Sequence, residues 1–562
     1  MSGTGTYDLK SVKLPRLTGG GLSLMVAALE NGLLRPLITP SLLKSGGITG
    51  FRALSPEESP TVFPIFFVDK KAAPEEGPDL GALNKIEGRA AAAMPFRTAR
   101  DYTQAYKEGK ANPEDVAKKA LDAIKQADVG SLKLRPFIAV NEGDVIQQAR
   151  SSAERWKDRK PLSVLDGVPV AVKDEVDMAP YPTTVGTKFF GRAPAKQDAT
   201  AVARLRAAGA LLLGKANMHE IGINPDGLNV NFGSTRNPYN PKHDTGGSSS
   251  GSATSVAAGI CPIAVGADGG GSIRIPASHC GVVGLKPTFG RVSEYGAAPL
   301  CWSVAHLGPI AATVEDTAIG YACMAGPDAK EPNSLHQPAV VLEQWNKTDL
   351  KGIRLGVYRP WFEHASPEVV RACDNLLEKL ASSGAQVKQI VVPGLDTMRV
   401  AHAITIASEM AGSMGNYPEH SKDFGEEVRV TLGLGRVFTA GDYIKAQRIR
   451  TRAMSVFKEI YRDVDAIITP SAGITGPEVT LGDAQGGWSD LSSTFEVMRF
   501  AFPGNLAGLP AISFPAGYDS IGLPIGMQAM GRWWEEDLLL RIAFNAEKLV
   551  ERRKPMVFFD LL

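Results

Sequence analysis

The 562-residue chain has few cysteines, no excess of charge of either sign and no long apolar run. Its five cysteines are odd in number and lack the close spacing of metal ligands, which is typical of a protein in a reducing, intracellular compartment. With 61 basic and 60 acidic residues the formal charge is +1, so the chain lacks an electrostatic footprint for nucleic acid. No stretch reaches about 18 uninterrupted apolar residues, and no secretory signal is expected at the N-terminus. These absences favour an intracellular protein without a nucleic acid partner or a membrane-spanning helix.

What the chain does contain is a stretch rich in glycine and serine, residues 246–288, enclosed by apolar segments. Its first half places several hydroxyls just before a helix-forming run at 253–258, where unsatisfied backbone N–H groups are expected. Its second half leads from an apolar strand pattern at 263–265 into Asp268 and three successive glycines. Such glycines allow backbone N–H groups to point inward as a nest that binds an oxyanion. Either half alone is more typical of a flexible linker, but the apolar segments on both sides disfavour that interpretation.

This stretch resembles the amidase signature, the defining sequence of a large family of serine amide hydrolases. Members of that family use two serines together with an upstream lysine that ends a strand. Ser248 and Ser272 have the family's spacing of 24 residues, and Lys173 follows an apolar strand pattern 75 residues before Ser248. The sequence departs from the family pattern at Ser250, where a glycine is usual, and at the variable position, which is Gly269 here. Neither departure removes a catalytic atom.

The resemblance implies a Ser-Ser-Lys catalytic triad. Ser272 is the expected nucleophile, and Lys173 is the expected base, which takes the proton directly or through Ser248 and later gives it to the leaving nitrogen. Ser248 is expected to follow a cis peptide bond with Gly247. The residues expected to contact the substrate are Ser248, Gly269, Gly270, Gly271, Ser272 and Met218. Four of them, Gly269, Gly270, Gly271 and Ser272, are expected to donate their backbone N–H groups to the oxyanion. No cofactor and no metal are expected.

Lys173 has to be uncharged to accept a proton near neutral pH, so we expect it to be buried among apolar groups with no carboxylate partner. The adjacent Asp174 would oppose this if its side chain pointed inward. Arg274 is expected to hold the catalytic loop through its several N–H donors, and Asp268 is expected to be structural. Residues 249–250 are interpreted as helix-capping hydroxyls.

An alternative is that residues 247–251, Gly-Ser-Ser-Ser-Gly, form the nucleophile elbow of an α/β-hydrolase with Ser249 as the nucleophile. Such an elbow must follow a strand, whereas residues 236–244 are polar and contain two prolines. The elbow also needs later acid and histidine partners, and no histidine follows His420. We therefore prefer the amidase interpretation.

The remaining patterns predict an α/β protein with the amidase-signature fold. In that fold a large mixed, mostly parallel central sheet is covered by helices on both faces. We divide the chain into an apolar helical N-terminal region at 1–54, an extended connection and helical lead-in at 55–160, and a catalytic core at 161–562.

The N-terminal region contains two short amphipathic helical patterns. Their apolar positions are Leu22, Met25, Val26, Leu29, Leu34, Ile38 and Leu42. Basic residues surround these positions, which suits a helix pair that lies in a membrane interface without spanning it. The alternative is that both helices simply pack on the body of the protein.

Within the family, the sequence is similar to the plant-type fatty acid amide hydrolases from the N-terminal region to near the C-terminus. The similar segments are residues 215–220, 246–253, 268–276, 358–362 and 527–532. The resemblance implies hydrolysis of N-acylethanolamines and related fatty acid amides, a homodimer, and peripheral or monotopic association with internal membranes, above all the endoplasmic reticulum. An acyl chain needs an apolar channel, and we expect Met25, Leu29 and Met218 to line it.

Other functions within the same fold stay open. One is hydrolysis of another small amide or a peptide amide, and a second is the glutaminase component of an amidotransferase. A third is an inactive binding protein. The apolar N-terminal region favours a self-sufficient enzyme, because a soluble glutamine hydrolase does not need it.

Overall fold

The computed structural model describes residues 6–12, 14–67, 73–74, 77–88, 94–130 and 133–562. Parts of the predicted connection, residues 68–72, 75–76 and 89–93, lie outside the described residues. An eleven-stranded sheet forms the centre, and a two-stranded ribbon of β1 and β11 lies apart from it. The strands are β1 (Leu17–Thr18), β2 (Phe137–Ala139), β3 (Pro169–Lys173), β4 (Leu211–Ala216), β5 (Ile263–Ala267), β6 (Val283–Lys286), β7 (Leu307–Ala311), β8 (Arg354–Val357), β9 (Gln386–Gln389), β10 (Ala466–Pro470), β11 (Trp488–Ser489), β12 (Ala511–Tyr518) and β13 (Pro524–Gly531).

The central sheet is mixed, with strand order β2-β4-β3-β5-β7-β6-β12-β13-β10-β8-β9. Parallel pairing occurs in two blocks, β4-β3-β5 and β10-β8-β9. Between these blocks the strands pair antiparallel. Antiparallel neighbours need only a short link, such as the hairpin from β12 to β13, whereas parallel strands need a crossover connection. The predicted α/β class and large mixed sheet are confirmed.

Helices connect the strands and pack on the sheet. Their bounds are α1 (Gly19–Glu30), α2 (Arg35–Ser45), α3 (Ile48–Arg52), α4 (Leu80–Leu83), α5 (Ala99–Lys107), α6 (Pro113–Ala127), α7 (Glu142–Lys157), α8 (Thr200–Ala207), α9 (Ser250–Ala257), α10 (Arg274–His279), α11 (Val314–Met324), α12 (Arg359–Phe362), α13 (Pro367–Ser382), α14 (Leu395–Met414), α15 (Glu426–Gly435), α16 (Ala440–Asp463), α17 (Leu481–Gly486), α18 (Leu491–Met498), α19 (Phe502–Leu506) and α20 (Glu536–Glu547). Capping threonines start several of them, as Thr98 does for α5 and Thr439 for α16.

Both faces of the central strands are covered. Every residue of β3, β4, β5, β6, β7, β10 and β13 is buried. Because successive side chains of a strand point to opposite faces, a fully buried strand needs packing on both sides. This explains why these strands have nearly continuous apolar sequences instead of an alternating pattern.

The helical lead-in belongs to the same body as the core. β2 pairs antiparallel with β4 at the edge of the sheet. Val116 and Ala120 of α6 and Val145 of α7 join the same hydrophobic cluster as the strands β3 and β5. The segment from residue 94 to 157 therefore helps to build the sheet that positions the site.

The two predicted N-terminal helices are present as α1 and α2, which meet at 110°. Among the described residues no single helix is long and apolar enough to cross a membrane. The bent pair of α1 and α2 is the one pair of described helices that is long and apolar enough when both helices are counted together. One face of α1 packs on the body of the protein, where Leu22, Val26 and Leu29 are buried against Val430 of α15.

The opposite side of the helix pair carries exposed leucines. Leu24, Leu33 and Leu37 are 72%, 84% and 74% exposed, respectively. Two of the basic residues around the helices are engaged in ion pairs, since Arg16 lies 2.6 Å from Asp483 and Arg52 lies 2.7 Å from Asp442. The helices thus combine a packed face with a separate apolar surface.

We expect Leu22→Ala to lower the free energy of unfolding by about 2–5 kcal/mol, because it removes a fully buried side chain. The matched change Leu24→Ala should alter it by no more than about 0.5 kcal/mol, because that side chain is exposed. Urea denaturation of both variants measures the difference. Equal effects would show that α1 does not pack on α15 as described.

Candidate active site

Lys173, the last residue of β3, is 1% exposed. β3 pairs in parallel with β5, so the carboxyl ends of the two strands meet at one edge of the sheet. Lys173 Nζ lies 2.8 Å from Ser248 Oγ and 3.2 Å from the carbonyl oxygen of Ala267, the last residue of β5. The predicted lysine and the first predicted serine are therefore in direct contact.

Ser248 lies just before α9 and follows a cis peptide bond with Gly247, as the family resemblance implies. Ser249 occupies the N-terminus of α9, but its hydroxyl donates to the carbonyl of Ala267 at 3.1 Å and does not cap the helix. The capping role predicted for Ser249 is therefore wrong, because the end of β5 offers the acceptor. Ser250 is already inside the helix.

Ser272 lies in the loop between β5 and α10 and, at 8%, is the most exposed of the three predicted triad residues. Its carbonyl oxygen accepts the N–H of Ser249 at 3.3 Å, which holds the loop next to Ser248. The preceding Gly271 has a φ of +126°, and a Cβ atom there would lie 2.4 Å from Ile275 Cδ1. Only glycine fits this turn, so the glycine run sets the position of Ser272 in the loop beside Ser248 and Ser249.

A buried carboxylate holds this loop together. The Arg274 guanidinium donates to Asp268 Oδ2 at 3.0 Å and to the side chains of Asn505 and Gln528. Burial by itself would raise the pKa of Asp268, but nearby Arg274 and Lys286, with the amide of Asn505, lower it well below the ordinary value. Asp268 is therefore ionised at neutral pH. The structural roles predicted for Arg274 and Asp268 are confirmed.

The Asp268 carboxylate already binds one of the four N–H groups that were predicted to stabilise the oxyanion. Asp268 Oδ1 accepts the N–H of Gly271 at 2.6 Å, so this N–H is not free to bind an oxyanion. The N–H groups of Gly269, Gly270 and Ser272 have no acceptor among the described residues. Three of the four predicted donors therefore remain available.

His402 of α14 fixes the orientation of this nest and was not predicted. Its Nε2 lies 2.8 Å from the carbonyl oxygen of Gly269. Burial lowers the pKa of His402 to about 4, so the ring is neutral and its Nε2–H donates to that carbonyl. In a trans peptide the carbonyl and the next N–H point in opposite directions, so this bond also fixes the N–H of Gly270. Since 133 residues separate the pair, the local sequence gives no signal of it.

The acidic neighbours of Lys173 differ from expectation. Asp174 turns away, accepting the N–H groups of residues 184 and 186 and lying 3.6 Å from Lys215 Nζ. Glu175 Oε2, by contrast, lies 2.8 Å from Lys173 Nζ. The prediction that Lys173 has no carboxylate partner is wrong. Residues 173–176 form a turn, in which the N–H of Val176 donates to the carbonyl oxygen of Lys173 at 3.1 Å, and this turn brings the Glu175 side chain back to the lysine. An apolar strand pattern that ends at Lys173 carries no signal of the turn.

A cavity of about 180 Å³ lies beside the catalytic loop. His402 and Met498 line it, and a Cβ atom at Gly270 would lie 2.7 Å from Met498 Cε. Ile223 also lines it, and the preceding residue, Gly222, is close to Ser248, because a Cβ atom there would lie 3.2 Å from Ser248 Oγ. One end of the cavity is therefore walled by residues that adjoin the loop of Ser272 and Ser248.

The wall of the cavity is largely apolar and comes from the N-terminal region together with α14, α15 and α18. Lining residues from these segments include Leu14, Leu42, Leu43, Ile406, Leu434 and Phe495. The three predicted channel residues do not line it. Met25 and Leu29 pack with the cluster against α15, and Met218 is fully buried in a separate cluster near Ser248. The sequence pattern identified the right region but the wrong helix, because the N-terminal part of the wall comes from residues 9–14 and 42–48 and not from α1.

A lysine in contact with a serine, beside a second serine in a loop of free N–H groups, is the arrangement that a serine hydrolase requires to activate a nucleophile and bind an oxyanion. Among the described residues no group of three or more His, Cys, Asp and Glu side chains could hold a metal ion. The chain belongs to the amidase family, whose family model matches residues 120–540. It is an amide hydrolase.

Known proteins resemble this chain to different extents. The fatty acid amide hydrolase of Medicago truncatula is 38% identical over 586 residues, covering 99% of this chain and 96% of that protein. The fatty acid amide hydrolase of Arabidopsis thaliana is 37% identical over 588 residues, with the same coverage of 99% and 96%. The solved structure of the peptide amidase from Stenotrophomonas maltophilia matches with a TM-score of 0.70 and 26% identity, covering 83% of this chain and 99% of that one.

We expect Ser272 to form the covalent acyl-enzyme, because it follows the free N–H groups and is the most exposed of the three. A fluorophosphonate should label the peptide that contains Ser272, which mass spectrometry identifies. Ser272→Ala should abolish labelling and reduce amide hydrolysis by at least about 10³-fold.

Ser249→Ala serves as the matched control, because that hydroxyl contacts Ala267 and not the lysine. This variant should be labelled at Ser272 like the unmodified protein, provided that circular dichroism shows the same fold. Labelling at Ser248 or Ser249 in the unmodified protein would reverse the assignment.

Proposed function

We propose that this protein hydrolyses fatty acid amides, such as N-acylethanolamines, to a fatty acid and an amine. The observation that carries the proposal is the apolar cavity beside the loop of Ser272, since His402 and Met498 belong to both the cavity wall and the surroundings of that loop. Part of its wall comes from residues 9–48, which lie outside the segment matched by the family model. The cavity wall is therefore built partly from a region beyond the shared amidase core. The full-length similarity to a fatty acid amide hydrolase supports the same substrate class.

In the proposed reaction the acyl chain occupies the cavity and its carbonyl carbon lies against Ser272. The Ser272 hydroxyl attacks that carbon and passes its proton to Ser248, whose own proton moves to Lys173, 2.8 Å away. The N–H groups of Gly269, Gly270 and Ser272 stabilise the oxyanion. The proton then returns along the same path to the leaving nitrogen, and water releases the fatty acid.

The proposal predicts a clear dependence on acyl length. Each buried methylene contributes about 0.8 kcal/mol, so kcat/KM should rise roughly fourfold per methylene until the cavity is full. We would measure hydrolysis of N-acylethanolamines of increasing length. Ala403→Phe, which narrows the cavity, should lower kcat/KM for long chains at least tenfold and leave the shortest amide within about twofold, since only long chains gain the full burial energy.

The matched control is Ala440→Phe, an equal change at an exposed position at the start of α16. It should leave the whole length series unaltered. A preference for glutamine or for a peptide amide over every lipid amide would reject the proposed substrate class and favour the alternatives.

The proposal extends to attachment at a membrane surface. Leu24, Leu33 and Leu37 form an exposed apolar surface on the helix pair whose other side supports the cavity wall. Burying three leucine side chains is worth roughly 4–9 kcal/mol by area before ordering and head-group desolvation reduce it. Such a gain is sufficient for reversible interfacial binding. The endoplasmic reticulum and the homodimer implied by the family resemblance stay predictions.

Replacing Leu24, Leu33 and Leu37 together by Ser should abolish co-sedimentation with phospholipid vesicles while hydrolysis of a short soluble amide is retained. The control replaces Val129, Ile521 and Met556 by Ser, because these three side chains are similarly exposed elsewhere on the surface. Equal vesicle binding by both variants, or none by the unmodified protein, would show that the exposed leucines do not attach the protein to lipid.

A further inference from the structure

The amine of Lys173 is surrounded by three acceptors. They are Ser248 Oγ at 2.8 Å, the Ala267 carbonyl oxygen at 3.2 Å and Glu175 Oε2 at 2.8 Å. An ammonium has three N–H donors and no acceptor, whereas a neutral amine has two donors and one lone pair. The three acceptors therefore satisfy the charged form completely. In the neutral form, donation to Ala267 and Glu175 leaves the lone pair for the proton of Ser248.

Glu175 is well placed for such a role because it is buried with Lys173. The side chains of Lys173 and Glu175 are only 1% and 7% exposed, so water does not screen the contact. Two titratable side chains from another part of the fold interact electrostatically with Glu175. They are Cys301 and Glu294, from the chain between β6 and β7. Burial and neighbouring carboxylates raise the pKa of both well above their ordinary values, so neither adds a charge beside Glu175. His219, which faces Lys173, is also uncharged, because burial lowers its pKa to about 4. Among the described residues Lys173 is the one cation paired with Glu175.

We propose that Glu175 is a positioning residue that aims Lys173 at Ser248 and stabilises the ammonium formed when Lys173 takes the proton. This inference rests on the proposed role of Lys173 as the base. In the step concerned, the O–H bond of Ser248 breaks as its proton passes to Nζ, and a third N–H bond forms on Lys173. The reverse transfer delivers the same proton towards the leaving nitrogen, and no bond of Glu175 is made or broken.

The carboxylate has two opposing effects on rate. An adjacent carboxylate in general favours the charged form of an amine over the neutral base. It also makes the neutral base stronger and better oriented once formed. Removing the charge should therefore move the acidic limb of the pH profile to lower pH and reduce the plateau rate. A merely structural residue would lower the rate without moving the limb.

The test is the pH dependence of kcat/KM for Glu175→Gln with the amide that the unmodified enzyme hydrolyses best. We expect the midpoint of the acidic limb to fall by about one to three pH units and the plateau kcat to fall about tenfold or more. Glu175→Asp, which keeps the charge at a longer distance, should retain the original midpoint more closely than Glu175→Gln. An unchanged midpoint in Glu175→Gln, whatever its rate, would overturn the proposal.

Two further measurements separate this inference from the proposed function. Labelling of Ser272 by a fluorophosphonate needs no lipid substrate, so its pH dependence reports the base even if the substrate class is wrong. Lys173→Ala should slow that labelling by about 10²-fold or more; if it does not, Lys173 is not the base. Asp174→Asn is the matched control, because this neighbouring carboxylate lies against Lys215 and should leave the midpoint in place. If Glu175→Gln fails to fold, Glu175→Asp decides in its place: the midpoint should fall, by less than is expected for Glu175→Gln, because the charge lies farther from Lys173, and an unchanged midpoint contradicts the role of the charge.

Discussion

The ion pair between Asp268 and Arg274 is the interaction on which the geometry of the site depends. Both side chains are fully buried, and one carboxylate binds the N–H of Gly271, the N–H of Ile273 and the guanidinium. Removing one member of such a pair costs about 3–5 kcal/mol, because the other is left charged without a partner. The turn before Ser272, the start of α10 and the amide of Asn505 in α19 are thereby held as one unit. A loop of three glycines could not keep its N–H groups in place without that support.

The chemistry and the substrate surface come from different parts of the chain. Lys173, Ser248 and Ser272 lie at the ends of β3 and β5, within the segment matched by the amidase family model. The cavity beside them draws part of its wall from residues 9–48, which that segment does not include. The N-terminal region thus adds an apolar surface to a centre that the family model includes. This agrees with the general rule that one fold can host different functions.

Much of the site could be predicted from the sequence, because spacing and residue type identify Lys173, Ser248 and Ser272 together. The sheet could also be predicted, since its buried strands have continuous apolar sequences. Long-range contacts could not. His402 reaches Gly269 across 133 residues, and Ile406 lines the same cavity as the N-terminal leucines only because the fold places α14 beside them. The contact between Glu175 and Lys173 is close in sequence, but it depends on the turn at 173–176, which the apolar strand pattern does not indicate.

The position of α14 has a practical meaning for inhibitor chemistry. This helix anchors the oxyanion loop through His402, and one turn further along it lines the cavity with Ile406. The cavity that we propose for an acyl tail and the support of the proposed oxyanion loop thus share one rigid element. In a carbonyl-reactive inhibitor, a tail that fits the cavity would contact α14, the helix that also holds the loop around the inhibitor's reactive group. Potency and selectivity would therefore be tuned by the same few carbon atoms.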